Sequence, residues 1–445
     1  MGKKEKILKP VKSAAGGVFL PHLKSTADNE SVIMPPPAVV KIPLSQHIGA
    51  PAVPVVKAGD KVFVGTLIGE APGFVSASVH SSVSGKVKEI TDVVMNGEPV
   101  KCVVIESDGE MEKDPSLKPF EVNSKDDVAA AANYCGLVGL GGAGFPSRVK
   151  LTIDEKTKIN TLIINGAECE PYITSDYREC IENYDDIFDG IYLLKEKLGI
   201  KRVFICVESN KKRAVEKFYA IAADQKDKTN GVRLMVLPTK YPQGAEKVII
   251  YSATGRKIPA GKLPSDAGCI VMNITSVGTL SRFVKTGMPL VSKRVTVDGT
   301  AVNEPKNVIV PIGTSVKELL DFAGGISEDT DKILMGGPMM GSAVCDENAV
   351  VEKRTNGITV LKKEKTVAAS ACIKCGRCAR ACPMKLYPAS VDAALNHNLT
   401  DALKKLNVNY CMECGCCAFV CPAKRPLTQT MRLAKAKIRR EQKNG

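Results

Sequence analysis

The sequence has no tryptophan, four histidines and only 5% aromatic residues over 445 positions. With so few rings, and no basic run interleaved with aromatics, a stacking surface for nucleic acid is disfavoured. Long apolar runs are missing as well. The only uncharged stretch near 20 residues, 128–147, holds five glycines and a proline, which argues against a membrane span. The opening MGKKEKILKPVK is basic but has no apolar run behind it, so no secretory signal is read there. What is left is 44% hydrophobic and 25% charged, the balance of a soluble globular chain, long enough for about three domains.

Cysteine and positive charge are what the chain has in quantity: 16 cysteines and a formal net charge of +14. Two runs concentrate the thiols. CIKCGRCARACP carries Cys372, Cys375, Cys378 and Cys382, and CMECGCCAFVCP carries Cys411, Cys414, Cys417 and Cys421. Both read C-x2-C-x2-C-x3-C-P, the spacing of bacterial two-cluster [4Fe–4S] proteins. Three thiolates on a tight loop wrap one face of a cubane, while the fourth opens a helix pointing away and reaches the other cluster. The spacing therefore predicts one cluster on Cys372, Cys375, Cys378 and Cys421, and a second on Cys411, Cys414, Cys417 and Cys382. Zinc also uses C-x2-C pairs, but it needs four ligands per site and has no use for the x3-C-P tail twice over. The spacing favours Cys417 over its neighbour Cys416, which is set aside. Cys102, Cys135, Cys169, Cys180, Cys206, Cys269 and Cys345 are scattered and read as small buried hydrophobes.

Thiols in cluster spacing, rather than in a short disulfide framework, point to a reducing cytosol. An oxidised cluster with four thiolates carries a charge on the order of −2, so two of them remove about four units of the positive charge. The basic remainder suits an anionic membrane surface, an acidic protein partner or bound phosphates.

Upstream, from about 126 to 290, β-rich runs alternate with helical stretches, which argues for an α/β domain on a parallel sheet. Four strands are expected at 161–165, 202–207, 232–237 and 269–273. Three of them lead into polar, glycine-bearing segments: GAECEPYITSDYR, PTKYPQGAEK and ITSVGT. Ligands of open α/β sheets bind at the carboxyl ends of strands, so these tips form a candidate pocket. Gly139, Gly141 and Gly144 spell G-x-G-x-x-G, but the alanine-rich DDVAAAANYCG before them reads as a helix. An ordinary dinucleotide fingerprint needs a strand there. The loop can still bring backbone N–H groups close to a phosphate or a flat ring, with Lys150 within reach of the phosphate.

The two flanks are β-rich. In residues 1–110, VKAGDKVFVGTLIGE followed by HSSVSGKVKEI looks like a lipoyl-type barrel-sandwich. No lysine lies between Lys61 and Lys86 to carry a prosthetic arm, and His80 reads as a turn residue. Residues 291–350 look like a β-grasp module, and the GGPMMG turn near its end reads as structural. Residues 355–445 read as a helical domain around the clusters, with helices across 387–408 and a basic one at the C-terminus.

Several of these segments resemble the NADH-binding flavoprotein subunit of respiratory complex I. GLGGAGFPSRVK is similar to its glycine loop, NGAECEPYITSDYR to its NADEGEP segment, YPQGAEK to its Y-x-x-GEE segment, and NITSVGT to its NNVET segment. The resemblance implies FMN with NADH stacked on it. It assigns Gly139, Gly141, Gly142, Gly144 and Lys150 to the flavin phosphate and ring edge. Asn165, Glu168 and Glu170 go to the flavin and nicotinamide side, and Tyr241, Gly244, Glu246, Asn273 and Thr275 complete the pocket. Ala167 and Ala245 stand where that family has acidic residues, so the nucleotide contacts depart from the pattern.

The full order of barrel-sandwich, FMN/NADH domain, β-grasp and two-cluster ferredoxin domain resembles the C subunits of Rnf ion-translocating electron-transport complexes. GGVFLPHLK, IPLSQHIGAPA, the AECEP form and GGPMMG all match. That resemblance implies a peripheral subunit on the cytoplasmic face of the membrane. It would pass electrons between NAD(H), FMN and two [4Fe–4S] clusters, and dock on integral-membrane and iron–sulfur subunits. Ferredoxin would be reached indirectly, through a partner. No side chain is required as an acid or base, so no catalytic residue is assigned. Two other readings share the layout: a flavoprotein of the cobalamin-reductase kind, and a cluster-bearing adaptor with a degenerate flavin site, which Ala167 and Ala245 support.

Overall fold

The computed structural model describes residues 7–12, 15–153, 158–224, 230–259, 261–365 and 367–444. The first six residues of the basic opening and residue 445 of the cluster segment lie outside them.

Strands Thr161–Gly166, Arg202–Glu208, Val232–Leu237 and Cys269–Asn273 form where the β-branched runs stand, and all pair in parallel. Their side chains alternate between two apolar clusters, as the period of two in a strand requires. Leu162 and Ile164 pack with Ile187, Ile191, Val277 and Leu280 of helices Tyr184–Lys197 and Ile274–Thr286. Ile163 and Cys206 pack on the opposite face with Ile249 and Ala253 of helix Glu246–Thr254. Each such Ile or Leu contributes about 1.5–3 kcal/mol when fully buried.

Spatially the order is 232–237, 202–208, 161–166, 269–273. The chain winds outward through the first three strands and then returns to lay the fourth beside the first. The crevice of such a sheet opens at that reversal, between the ends of Thr161–Gly166 and Cys269–Asn273. The segment before the glycine loop is helix Lys125–Tyr134, as its alanines suggest. Ser124 and Asp127 close a capping box at its start.

The N-terminal sandwich has two antiparallel sheets, one of 39–43, 98–107, 85–95 and 61–62, the other of 53–54, 67–70 and 79–80. Val40, Ile42, Ile68, Val79, Val87, Val103 and Ile105 fill the space between them. His80 is not a turn residue. It sits in strand Val79–His80, paired with Leu67 and 7% exposed, and burial lowers its imidazole to about 3.

Two short strands ahead of residue 34 pair outside these two sheets. Ile7–Leu8 extends the parallel sheet beside Leu234–Met235, and Val32–Ile33 pairs with Val308–Ile309. Residues 15–31 run as a strap across the other domains.

The sheet after residue 290 runs 342–343, 330–335, 357–362, 292–298, 306–311, with 32–33 at its edge. Strand Gly357–Lys362 lies inside it, parallel to Thr296–Asp298, so the sheet extends past residue 350 into the segment read as cluster domain. The C-terminal part is built of short helices under the long helix Leu427–Asn444. The helical run at 387–408 is two helices, Pro388–Asn396 and Thr400–Lys405, broken where Asn398 takes a φ of 56°. Val391, Leu403, Met431 and Ile438 hold these helices together. Among the described residues no helix is long and apolar enough to cross a membrane.

Candidate functional site: a glycine-loop pocket joined to two cysteine cavities

The glycine loop closes on itself through Gly139 N–H to Phe145 O at 2.9 Å. Ser276 anchors it, taking Leu140 N–H at 3.3 Å and giving its hydroxyl to Val138 O at 3.2 Å. The tip at 141–143 is exposed. A Cβ on Gly141 would stand 2.6 Å from Asn273 Nδ2, so the bare backbone lies directly on that amide. A Cβ on Gly142 would meet nothing within 4 Å. Gly144, at φ 68°, packs against Gln46 of the sandwich.

The polar strand tips converge here. Asn273 caps helix Ile274–Thr286 by accepting Ser276 N–H, and donates to Asp176 Oδ2 at 2.7 Å. Thr275 gives its hydroxyl to Asp176 Oδ1 at 2.6 Å. Asn165 donates to Gly244 O at 2.8 Å and accepts Ala167 N–H at 3.1 Å, lacing two loops together. Lys150 Nζ pairs with Glu246 at 2.9 Å and donates to Val271 O.

The two glutamates of AECEP have partners of their own. Glu168 is 5% exposed and accepts N–H bonds from Asp176 at 2.8 Å and Tyr177 at 3.3 Å, at the start of helix Ser175–Glu182. It also pairs with buried Lys211 at 3.2 Å. Its oxygens are committed there, so it shapes the pocket through its loop. Glu170 accepts Met339 N–H at 3.0 Å and lies 3.5 Å from the Tyr241 hydroxyl; burial raises its carboxyl. The structure thus brings the glycine loop, Asn273 and Thr275 together, and sets Lys150 and Glu246 as a pair. Glu168 is held by Asp176, Tyr177 and Lys211, and Glu170 by Met339 and Tyr241.

The two cysteine runs fold alike. Lys374 and Glu413 have φ of 54° and 59°, Gly376 and Gly415 of 72° and 79°, Lys385 and Lys424 of 55° and 50°. Left-handed non-glycine residues are uncommon, and their repetition at matching positions marks a shared constraint. Cys382, Cys411, Cys414 and Cys417 line one cavity, and Cys372, Cys375, Cys378 and Cys421 line another that opens to solvent. Backbone N–H groups of Leu386 and Glu413 point at Cys382 and Cys411 sulfurs at 3.3 Å. Cys416 is fully buried and faces Tyr241 instead, although it borders the first cavity. Of the scattered cysteines, Cys102, Cys135, Cys180, Cys206 and Cys269 are buried, Cys169 is partly so and Cys345 is exposed.

Pocket and first cavity share a wall. Val18, Tyr241, Ala381, Cys414 and Cys416 form one apolar cluster, flanked by Cys169 and Met339. Val18 and Tyr241 exchange both backbone bonds, and Gly17 N–H donates to Ala381 O at 2.8 Å. A Cβ on Gly16 would stand 2.6 Å from Cys382 O.

Comparison with known proteins fits this layout segment by segment. Family models match an RnfC barrel sandwich hybrid domain at 12–110, a Nuo51 FMN-binding domain at 132–282, an SLBB domain at 294–343 and a 4Fe-4S dicluster domain at 364–422. The chain is 41% identical to the C subunit of the proton-translocating ferredoxin:NAD(+) oxidoreductase complex of Clostridium ljungdahlii, covering 96% of this chain and 94% of that one. It is also 41% identical to the Na(+)-translocating counterpart of Acetobacterium woodii, covering 97% and 98%. This chain belongs to the family of C subunits of ion-translocating oxidoreductase complexes. A solved NAD+-reducing [NiFe]-hydrogenase shares the fold at a TM-score of 0.50 and 16% identity, over 72% of this chain and 62% of that one.

The residues of this C subunit fit the cofactors of its domains. A cavity lined by Cys382, Cys411, Cys414 and Cys417 with Cys416 at its border, and another lined by four thiols, suit two [4Fe–4S] clusters, and the N–H groups aimed at sulfur suit thiolate ligands. The open glycine tip over amide and hydroxyl groups suits FMN.

Residues the sequence left unassigned hold these parts in place. Asp176 lies within the ITSDYR segment, yet its role shows only once Asn273 and Thr275 are seen against it. Lys24 of the strap donates to the carbonyls of Glu168 at 2.9 Å, Glu170 at 2.7 Å and Ile173, and burial lowers it to about 8. Lys353 bridges sandwich and pocket domain, donating to Ser78 O and, at 2.8 Å, Gly136 O. A lone lysine in GGVFLPHLK or VVEKRTNG has no local pattern to announce either role.

Proposed function

We propose that this C subunit passes electrons between NAD(H) and two [4Fe–4S] clusters by way of FMN in the glycine-loop pocket. It does so as a peripheral part of an ion-translocating ferredoxin:NAD+ oxidoreductase complex, at the cytoplasmic face of the membrane. FMN bound there exchanges the two electrons of a nicotinamide for the single electrons a cluster accepts. The chain's own residues bind and orient. The loop 139–144 offers backbone to the flavin, Asn273 and Thr275 offer polar groups to its ring, and Lys150 offers charge to its phosphate. Cys382, Cys411, Cys414 and Cys417 hold the cluster nearer the flavin. Cys372, Cys375, Cys378 and Cys421 hold the outer one, for which iron–sulfur partner subunits are the electron exchange and ferredoxin a more distant one.

One observation carries this order: the wall shared by the pocket loops and the first cysteine cavity, where Tyr241, Cys414 and Cys416 pack together. The module after residue 290 reads as a β-grasp. Its support is the strand order 306–311, 292–298, 357–362, 330–335, 342–343, with first and last long strands parallel. The segment beyond it reads as a helical two-cluster domain.

Cofactor analysis of the purified chain tests the reading. We expect about eight iron, about eight sulfide and about one FMN per chain, with the clusters bleaching on anaerobic addition of NADH. A chain holding full iron but no flavin would favour the adaptor reading that Ala167 and Ala245 support.

A further inference from the structure

Under the floor of the pocket lies a nearly solvent-free carboxylate. Asp176 is 6% exposed and stands at the first turn of helix Ser175–Glu182, with its backbone N–H held by Glu168 at 2.8 Å. Both of its oxygens are used. Oδ1 takes the Thr275 hydroxyl hydrogen at 2.6 Å and Oδ2 takes an Asn273 amide hydrogen at 2.7 Å. Asn273 spends its own oxygen on Ser276 N–H, so its amide cannot turn over without breaking two bonds.

An ionised carboxylate only accepts, a hydroxyl has one hydrogen, and a primary amide has two. After these bonds Thr275 has lone pairs left and no hydrogen, while Asn273 has one hydrogen left and no free oxygen. Burial and Glu168 raise the Asp176 carboxyl to about 6 against the pull of Thr275, Lys293 and Asn273, so the anion still predominates at neutral pH. We infer that Asp176 is a positioning residue that sets the hydrogen-bond polarity of the flavin pocket, leaving Thr275 as an acceptor and Asn273 as a donor. This rests on the FMN reading above. The pyrimidine edge of a flavin alternates carbonyl acceptors with a single N–H, at N3. An acceptor and a donor side by side complement a C=O/N–H pair of that edge. The ligand class selected is therefore a ring with an imide edge, and the N3 hydrogen is the feature read.

The test uses the full chain with clusters in place, stripped of flavin and titrated anaerobically with FMN and with N3-methyl-FMN, following fluorescence quenching. Wild type should bind FMN at least about tenfold more tightly than the methylated analogue, the scale of one lost hydrogen bond to a buried acceptor. Asp176→Asn can donate to Thr275 and free its hydroxyl hydrogen, so the preference should shrink to within about threefold. A merely structural role would weaken both flavins equally and keep their ratio, and that result overturns the inference. Thr275→Val removes the acceptor while leaving Asp176, and should also abolish the preference. Should Asp176→Asn lose its iron or fail to fold, Thr275→Val decides alone, with a retained ratio counting against us. Wild type that rebinds neither flavin would overturn the FMN reading itself, a different outcome from a retained ratio.

Discussion

The carboxylate of Glu170 accepts the backbone N–H of Met339 at 3.0 Å, and the bond crosses from the flavin-side loop to the GGPMMG turn. Met339 O in turn lies 3.1 Å from where a Cβ on Gly415 would stand, in the second cysteine run. Glu170 thus ties its loop to a turn that packs on the second cysteine run.

Glu170→Ala should then leave FMN and iron content near wild type while slowing cluster reduction by NADH severalfold. Losing the bond to the part-buried N–H of Met339 costs about 1 kcal/mol, enough to loosen the turn without unfolding the domain. Stopped-flow bleaching of the cluster absorbance measures it, and a wild-type rate would remove Glu170 from the joint.

The cysteine cavities predict crossed losses. Cys382→Ala should abolish the cluster shared with Cys411, Cys414 and Cys417, and Cys421→Ala the one shared with Cys372, Cys375 and Cys378. Each variant should lose about half the iron. Low-temperature EPR should then show each variant keeping a different cluster signal. Cys416→Ser should keep both.

Lys150→Ala should weaken flavin retention and spare iron. The ammonium is part-exposed and held beside Glu246 at 2.9 Å, so its loss removes the local positive charge and leaves that carboxylate facing the phosphate. FMN per chain after gel filtration reads the effect, and full occupancy in the variant would reject the assignment.

Lys353 makes stability depend on pH. Burial lowers it from 10.5 to about 7. Between those values the unfolded chain binds more protons than the folded one, so stability rises with pH, by up to about 1.4 kcal/mol per unit. As a neutral amine it still has two hydrogens for its two acceptors, Ser78 O and Gly136 O. From pH 7 to 9 the melting temperature of wild type should gain on that of Lys353→Met. A constant gap across that range is the contrary result.

Much of the fold was legible because its signals are local. The β-rich runs at 161–165, 202–207, 232–237 and 269–273 became the strands, and the alanine-rich run before the glycine loop became a helix. The cysteine spacing anticipated which thiols share a cavity. What escaped depends on distant partners. Strand Gly357–Lys362 earns its place by pairing with Thr296–Asp298, which no local period reveals. Glu168 and Glu170 sit in a segment whose importance was plain. Which way each carboxylate faces depends on a helix start, at Asp176, and a turn, at Met339, elsewhere in the chain. The pairings of Ile7–Leu8 and Val32–Ile33 escape a local reading because their partners lie hundreds of positions away.

That strap bears on how the protein is made. Gly17 and Val18 leave the ribosome long before their partners, Ala381 and Tyr241, have been translated. Domains complete themselves in order of synthesis, and contacts of long sequence separation form late. A segment born early is thus among the last to dock, across a seam bordering the cavity of Cys382 and Cys414. Until the helices that follow Ala381 arrive, the strap has no partner there and the inner cysteine cavity is incomplete.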